Sequence, residues 1–133
     1  MTHWINNDLS FWNTLMTDAA LLIQKQLDTW NAKDVEGWLS TYASDAQQFN
    51  LHGELLAVGH EAMRARTIIR FAEPDLKAEL LSRVVMGNIV VDHEKITRNF
   101  PEGRGSLEML CVYEIKDGLI QKASFATYNQ KLN

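Results

Sequence analysis

The chain has 133 residues, 46% of them hydrophobic and 23% charged, with a formal net charge of −4. That length suits one domain with one core, and without a basic stripe nucleic acid is not expected as a partner. No run approaches the roughly 18 apolar residues of a membrane span. The single cysteine, Cys111, excludes an internal disulfide, and a reducing cytoplasm is the expected setting. The first residues lack a basic region followed by an apolar run, so no signal peptide is expected.

In chain order, residues 8–31 read as a helix. Leu15, Ala19, Leu22, Ile23, Gln26, Leu27 and Trp30 recur at the spacing of one buried stripe. Asp34 is placed to cap a short second helix over 35–42, whose apolar edge is Trp38, Leu39 and Tyr42. Residues 46–51 form a short strand, and Gly53 punctuates a turn. A third helix over 60–72 ends at Glu73-Pro74-Asp75; Met63, Ile69 and Phe71 pack, while Arg64, Arg66 and Arg70 make a solvated face.

Residues 76–86 read as a strand ending at the Gly87-Asn88 turn. The rest of the chain, 88–128, reads as three long antiparallel strands. The first carries Val90-Val91-Asp92-His93-Glu94-Lys95-Ile96-Thr97. Because a strand alternates its side chains, His93, Lys95 and Thr97 point one way and Asp92, Glu94 and Ile96 the other. The segment 101–105 is expected to be a loop. In 106–115 the odd positions Leu107, Met109, Cys111, Tyr113 and Ile115 form a core face. Lys116-Asp117-Gly118 is a hairpin turn, since Asp-Gly supplies the positive φ angles that tight hairpins require, and 119–128 returns as the last strand. Helices first and strands afterwards give an α+β fold, with helices laid on one face of a curved, mostly antiparallel sheet.

Four short words stand in a telling order: Asn31-Ala32-Lys33-Asp34, Tyr42-Ala43-Ser44-Asp45-Ala46, Gly59-His60-Glu61-Ala62-Met63-Arg64 and Asp117-Gly118-Leu119-Ile120. Together they resemble the nuclear transport factor 2-like superfamily, and within it the SnoaL-like polyketide cyclases, ketosteroid isomerases and limonene epoxide hydrolases. The resemblance covers about residues 19–128. It implies a cone: a bent sheet wrapped around the long first helix, two further helices, a deep apolar pocket for a small hydrophobic molecule, and a homodimer formed through the outer face of the sheet. It does not fix an activity, because one fold hosts many functions.

Carried over position by position, the resemblance removes two activities. Ketosteroid isomerases place a tyrosine where this chain has Gln26, a general base where it has Asn50, and a protonated aspartic acid near Cys111. An amide cannot take up a proton at useful pH, so that mechanism lacks its base. Epoxide hydrolases carry Glu-Arg-x-Asp over Glu94-Lys95-Ile96-Thr97 and a second aspartate at Phe125, so the pair of carboxylates that activates water is missing. The same overlay turns His93, Lys95 and Thr97 toward the pocket and Asp92 and Glu94 outward.

His93 and Lys95 are then the candidate catalytic residues. A desolvated imidazole beside a cation favours its neutral form and can act as a base. The alternative is a histidine bonded to a neighbouring strand or lying at the dimer face. Lys95 is a candidate to hold a substrate carboxylate or attack a carbonyl; otherwise it pairs with an acid or reaches out to water. Gln26, Trp30, Tyr42, Phe49, Asn50, Met63, Thr97, Cys111, Tyr113 and Phe125 are the candidate pocket wall, a set that overlaps with plain core. No cofactor is expected, and the histidines are too scattered for a compact metal site. Three functional classes stay open: an isomerase, cyclase or lyase using His93 as acid and base, a non-catalytic binding protein, and an interaction subunit with a filled pocket.

Overall fold

A computed structural model describes residues 17–133. The first helix among the described residues, α1, is Asp18–Asn31. Thr17 caps it by accepting from the amide of Ala20 at 3.1 Å, satisfying one of the donors that a helix start leaves open. The part of the expected helix over 8–16, Leu15 included, lies outside the described residues. Ile23, Gln26 and Leu27 form its buried stripe. At its far end Asn31 both donates to and accepts from the backbone of Ala78, at 2.9 and 2.8 Å. That double bond fixes the helix end against an edge strand.

Asp34 caps α2, Val35–Leu39, by accepting from the Gly37 amide, as expected. This helix stops three residues short of Tyr42, because Tyr42 is already paired with Ile120 at the start of strand β1, Tyr42–Asn50. A tight turn leads to β2, Leu55–Val58, a strand too short and too weakly alternating to read from sequence. Then α3, Gly59–Phe71, packs through Met63, Thr67 and Phe71. Ile69, expected to pack, is 73% exposed.

Four strands complete the sheet: β3 Lys77–Met86, β4 Ile89–Phe100, β5 Gly103–Lys116 and β6 Leu119–Leu132. Their spatial order is β2-β1-β6-β5-β4-β3. All neighbours are antiparallel except β1 and β6, so the sheet is mixed. Asp117 and Gly118 both have positive φ, 52° and 77°, as the hairpin between β5 and β6 demands.

The expected loop over 101–105 is shorter in the structure. Phe100 faces Gly103, so only Pro101 and Glu102 turn, and β5 begins three residues early. Gly105 stands in the strand for a packing reason: a Cβ there would lie 2.2 Å from the backbone oxygen of Lys131 on β6.

The inner face of the sheet and the helices enclose two adjoining cores. One gathers Ile23, Trp38, Leu39, Tyr42, Val90, Tyr113 and Ile120; the other gathers Leu27, Phe71, Leu76, Ile96, Phe100 and Leu107. The result is an α+β fold of three described helices on one face of a six-stranded sheet. No helix among the described residues is long and apolar enough to cross a membrane.

Candidate functional site

Strand β4 determines the chemistry of the interior. Its even positions Val90, Asp92, Glu94 and Ile96 are buried, and its odd positions are not. The hairpin register explains this. Asp92 faces Cys111, Glu94 faces Met109 and Ile96 faces Leu107. Directly opposed residues share a face of the sheet, so the core face of β5 draws the even residues of β4 inward with it.

The orientation expected for His93, Lys95 and Thr97 is therefore corrected. All three lie on the outer face, whereas Asp92 and Glu94 are inside. His93 Nε2 meets Glu108 Oε1 at 2.6 Å on the neighbouring strand, and the imidazole holds that carboxyl below the usual carboxylate range, with help from Asn129. Lys95 is exposed. Neither Lys95 nor His93 lines the internal cavity, so the premise for their acid–base and substrate-binding roles there is gone.

Asp92 is fully buried and paired. Arg83 on β3 donates from Nε to Oδ1 at 2.7 Å and from Nη2 to Oδ2 at 2.9 Å, and its third nitrogen donates to Gln24 of α1 at 2.9 Å. A two-pronged guanidinium–carboxylate match of this kind is strong and directional. It joins helix to sheet and leaves Asp92 no free oxygen to offer a ligand.

Glu94, two residues along, has no such partner. It is 4% exposed, its Oε2 makes no hydrogen bond, and it lines an internal cavity of about 330 Å³. Burial, reinforced by the charge of Asp92, raises its pKa to about 7. Desolvation disfavours the charged form of an acid, and a like charge nearby adds to the effect.

Two more buried polar atoms in the cavity wall make no hydrogen bond of standard geometry, the Trp38 indole nitrogen and the Tyr42 hydroxyl, although Gln48 and Gln26 lie near enough to the hydroxyl to interact with it. Their rings touch at 5.0 Å between centroids, tilted by 57° to one another. Burial pushes the Tyr42 hydroxyl well above its ordinary range, so it stays a donor. Unsatisfied buried polar atoms are costly and rare in native proteins. Three around one cavity form a set of one acid and two donors. Tyr113 completes the wall, donating to Gln26 Oε1 at 3.3 Å. Cys111 is buried and its thiol is pushed up by burial and by Glu94, so it is inert as a nucleophile.

The structure brings Gln26, Trp30, Tyr42, Asn50, Cys111, Tyr113 and Phe125 of the expected wall to this cavity. Met63 is fully buried in the core and does not line it. Phe49 points away, because Gln48 and Asn50 on either side of it take the inward positions; its ring carries the Lys122 ammonium at 4.9 Å. Asn50 is in place, and its amide nitrogen donates to Glu54 Oε1 at 3.0 Å. The sequence reading missed Glu94 itself, Gln48, and the arginines 66, 70 and 98, all of which line the cavity. Among the described residues no group of three His, Cys, Asp or Glu is arranged to hold a metal.

Residues 23–123 match the SnoaL-like domain family. The chain belongs to that family. Its place in the nuclear transport factor 2-like superfamily agrees with solved structures of similar shape. An uncharacterized cystatin-fold protein from Novosphingobium aromaticivorans superposes with a TM-score of 0.75 at 23% identity, over 84% of this chain and 98% of its own. A nuclear transport factor 2-like protein of unknown function from Burkholderia pseudomallei gives 0.73 at 14% identity, over 86% and 92%. A candidate SnoaL-like polyketide cyclase from Jannaschia sp. CCS1 gives 0.71 at 18% identity, over 83% and 85%. These likenesses establish the SnoaL-like fold alone. No curated protein matches the chain at significant similarity.

Proposed function

We propose that this SnoaL-like protein is an isomerase- or cyclase-type enzyme acting on a small carbonyl compound, with Glu94 as the group that moves the proton. The observation that carries this reading is the buried Glu94 carboxyl in the cavity wall, one oxygen of which makes no hydrogen bond and whose pKa burial raises to about 7. A catalytic acid–base works best when its pKa lies near the working pH. As a carboxylate, Glu94 removes a proton from the carbon next to the carbonyl. The electron pair of the broken C–H bond moves onto the oxygen, which accepts hydrogen bonds from the Tyr42 hydroxyl and the Trp38 N–H. Fixed donors at an oxygen that gains charge are the usual source of such stabilisation. Glu94 then returns its proton to carbon, and the protein ends as it began. A cavity of this size falls at the small end of the about 300–1,000 Å³ typical of ligand pockets.

The test is hydrogen exchange in D₂O, followed by NMR, with a set of cyclic ketones. Wild-type protein is expected to exchange protons next to the carbonyl at a rate that rises through pH 7, and Glu94→Gln to lose this. Equal rates for the two proteins would overturn the assignment. Ketone binding without exchange would instead favour a non-catalytic binding protein.

The outer face of the sheet is proposed to join a second copy of this chain. Val84, Leu110 and Tyr128 are 57%, 37% and 75% exposed around a shallow groove that also contains His93, and the family resemblance implies the same face. A cytoplasmic setting fits the lone Cys111. Sedimentation of wild type and Leu110→Arg tests the pairing: a dimer converted to monomer supports it, and a wild-type monomer opposes it.

A further inference from the structure

The charged side chains lining the cavity are Arg66, Arg70, Arg98 and Glu94, three cations and one acid, in a chain whose overall charge is −4. The arginines cluster. Arg66 and Arg70 lie one turn apart on α3. Arg70 and Arg98 share the carboxylate of Glu73, which accepts from Arg70 Nη1 at 2.9 Å and from Arg98 Nε and Nη2 at 2.8 and 2.9 Å. Glu73 also accepts from the amide of Asn99 at 2.8 Å. One carboxylate thus holds two guanidinium groups in place and neutralises one of their charges. Arg66 is exposed and has no acidic partner among the described residues. About two positive charges are left over at this end of the cavity.

Glu94 and Arg98 are on the same face of β4, four residues apart, which is about 13 Å of strand. The cavity therefore runs from a proton-transfer end, with Glu94, Tyr42 and Trp38, to a cationic end, with Arg66, Arg70 and Arg98. Resting on the reading of this cavity as the active site, we infer that its substrate is an amphipathic carboxylate: a carbonyl at one end for Tyr42 and Trp38 beside Glu94, and a carboxylate at the other for the arginines. The planar fork of arginine suits carboxylates, and Glu73 already shows that geometry on Arg98, while Arg70 reaches the same carboxylate through one nitrogen. A purely hydrophobic ligand would make no use of these guanidinium groups. The arginines taken from sequence as a solvated helix face are, for 66 and 70, part of this wall.

The probes are 6-hydroxy-2-naphthoate and its neutral methyl ester, which share one ring system and differ at the far group. Affinities are measured by tryptophan fluorescence at pH 6 with wild type, Arg66→Gln and Glu94→Gln. The carboxylate is expected to bind about tenfold or more tightly than the ester, as a charged hydrogen bond warrants. Arg66→Gln should remove most of that preference and leave the ester unaffected, and added salt should act in the same direction. Glu94→Gln should change both probes alike. Equal binding of carboxylate and ester would overturn the inference and leave the site standing. A preference that survives Arg66→Gln, Arg70→Gln and their combination would assign the anion elsewhere and also overturn it. Binding of neither probe would overturn the site, and the inference with it.

Discussion

The two faces of β4 each carry two titratable side chains and do opposite things. Inside stand two acids, Asp92 and Glu94; outside stand His93 and Lys95. On the inner face Asp92 has a guanidinium on both oxygens, and Glu94 has an oxygen with none. On the outer face His93 has Glu108 for a partner, but in the single chain, with side chains 40% and 30% exposed, the pair is open to water and weak. Residue type alone would nominate the histidine as the working group. Burial and partnership single out the glutamate, because only a desolvated and unpaired acid is both shifted in pKa and available to a ligand.

The contrast is broken most severely at Arg83. Arg83→Ala strands the Asp92 charge in the interior, and loss of one member of a buried pair costs about 3–5 kcal/mol. Urea denaturation should show a loss of that size; a change under about 1 kcal/mol would mean that the pair does not stabilise the fold.

Glu94 gives the next largest effect, and it depends on pH. Its folded pKa of about 7 lies above its ordinary value of 4.5. Between those values the folded protein keeps a proton that the unfolded chain has released. Stability is therefore full below pH 4.5 and is lost as pH rises through 7, by on the order of 3 kcal/mol. Glu94→Gln should remove that slope and make the protein more stable than wild type at pH 8, while abolishing exchange chemistry. Denaturation curves at pH 5 and pH 8 for both proteins check the sign.

On the outer face, His93→Ala should leave turnover and probe binding unchanged and shift stability far less than Arg83→Ala does. A loss of turnover with the fold intact would return the imidazole to the chemistry. Lys95→Ala is the smallest change, within about 0.5 kcal/mol in the same denaturation assay, since it is an exposed side chain away from any packed feature.

Much of the fold is written in local rules. The buried stripe of α1, the Asp34 cap, the Asp117-Gly118 hairpin and the odd core face of β5 all follow from spacing and turn chemistry. The site is half legible for a different reason. Aromatic and small side chains such as Tyr42, Cys111 and Tyr113 follow core periodicity, so the wall emerges with the core. The orientation of β4 is not local. It depends on how many residues turn between β4 and β5. Reading 101–105 as a five-residue loop hides the two-residue turn at Pro101-Glu102. With that turn counted, the odd core face of β5 places Asp92 and Glu94 inside. Val90, Ile96 and Phe100 on the even face carry the same message, and the overlay on the epoxide hydrolase pattern outweighs it. The Arg66–Arg70 pair is hidden by another route, since a charged helix stripe reads the same whether it borders water or the end of a cavity.

The most direct test of the account is a ¹³C NMR titration of the Glu94 side-chain carboxyl, assigned by its absence in Glu94→Gln. A midpoint near pH 7 is expected for the free protein. A midpoint near 4.5 would mean that the carboxyl is solvated or paired, and would contradict its role as the proton-transfer group.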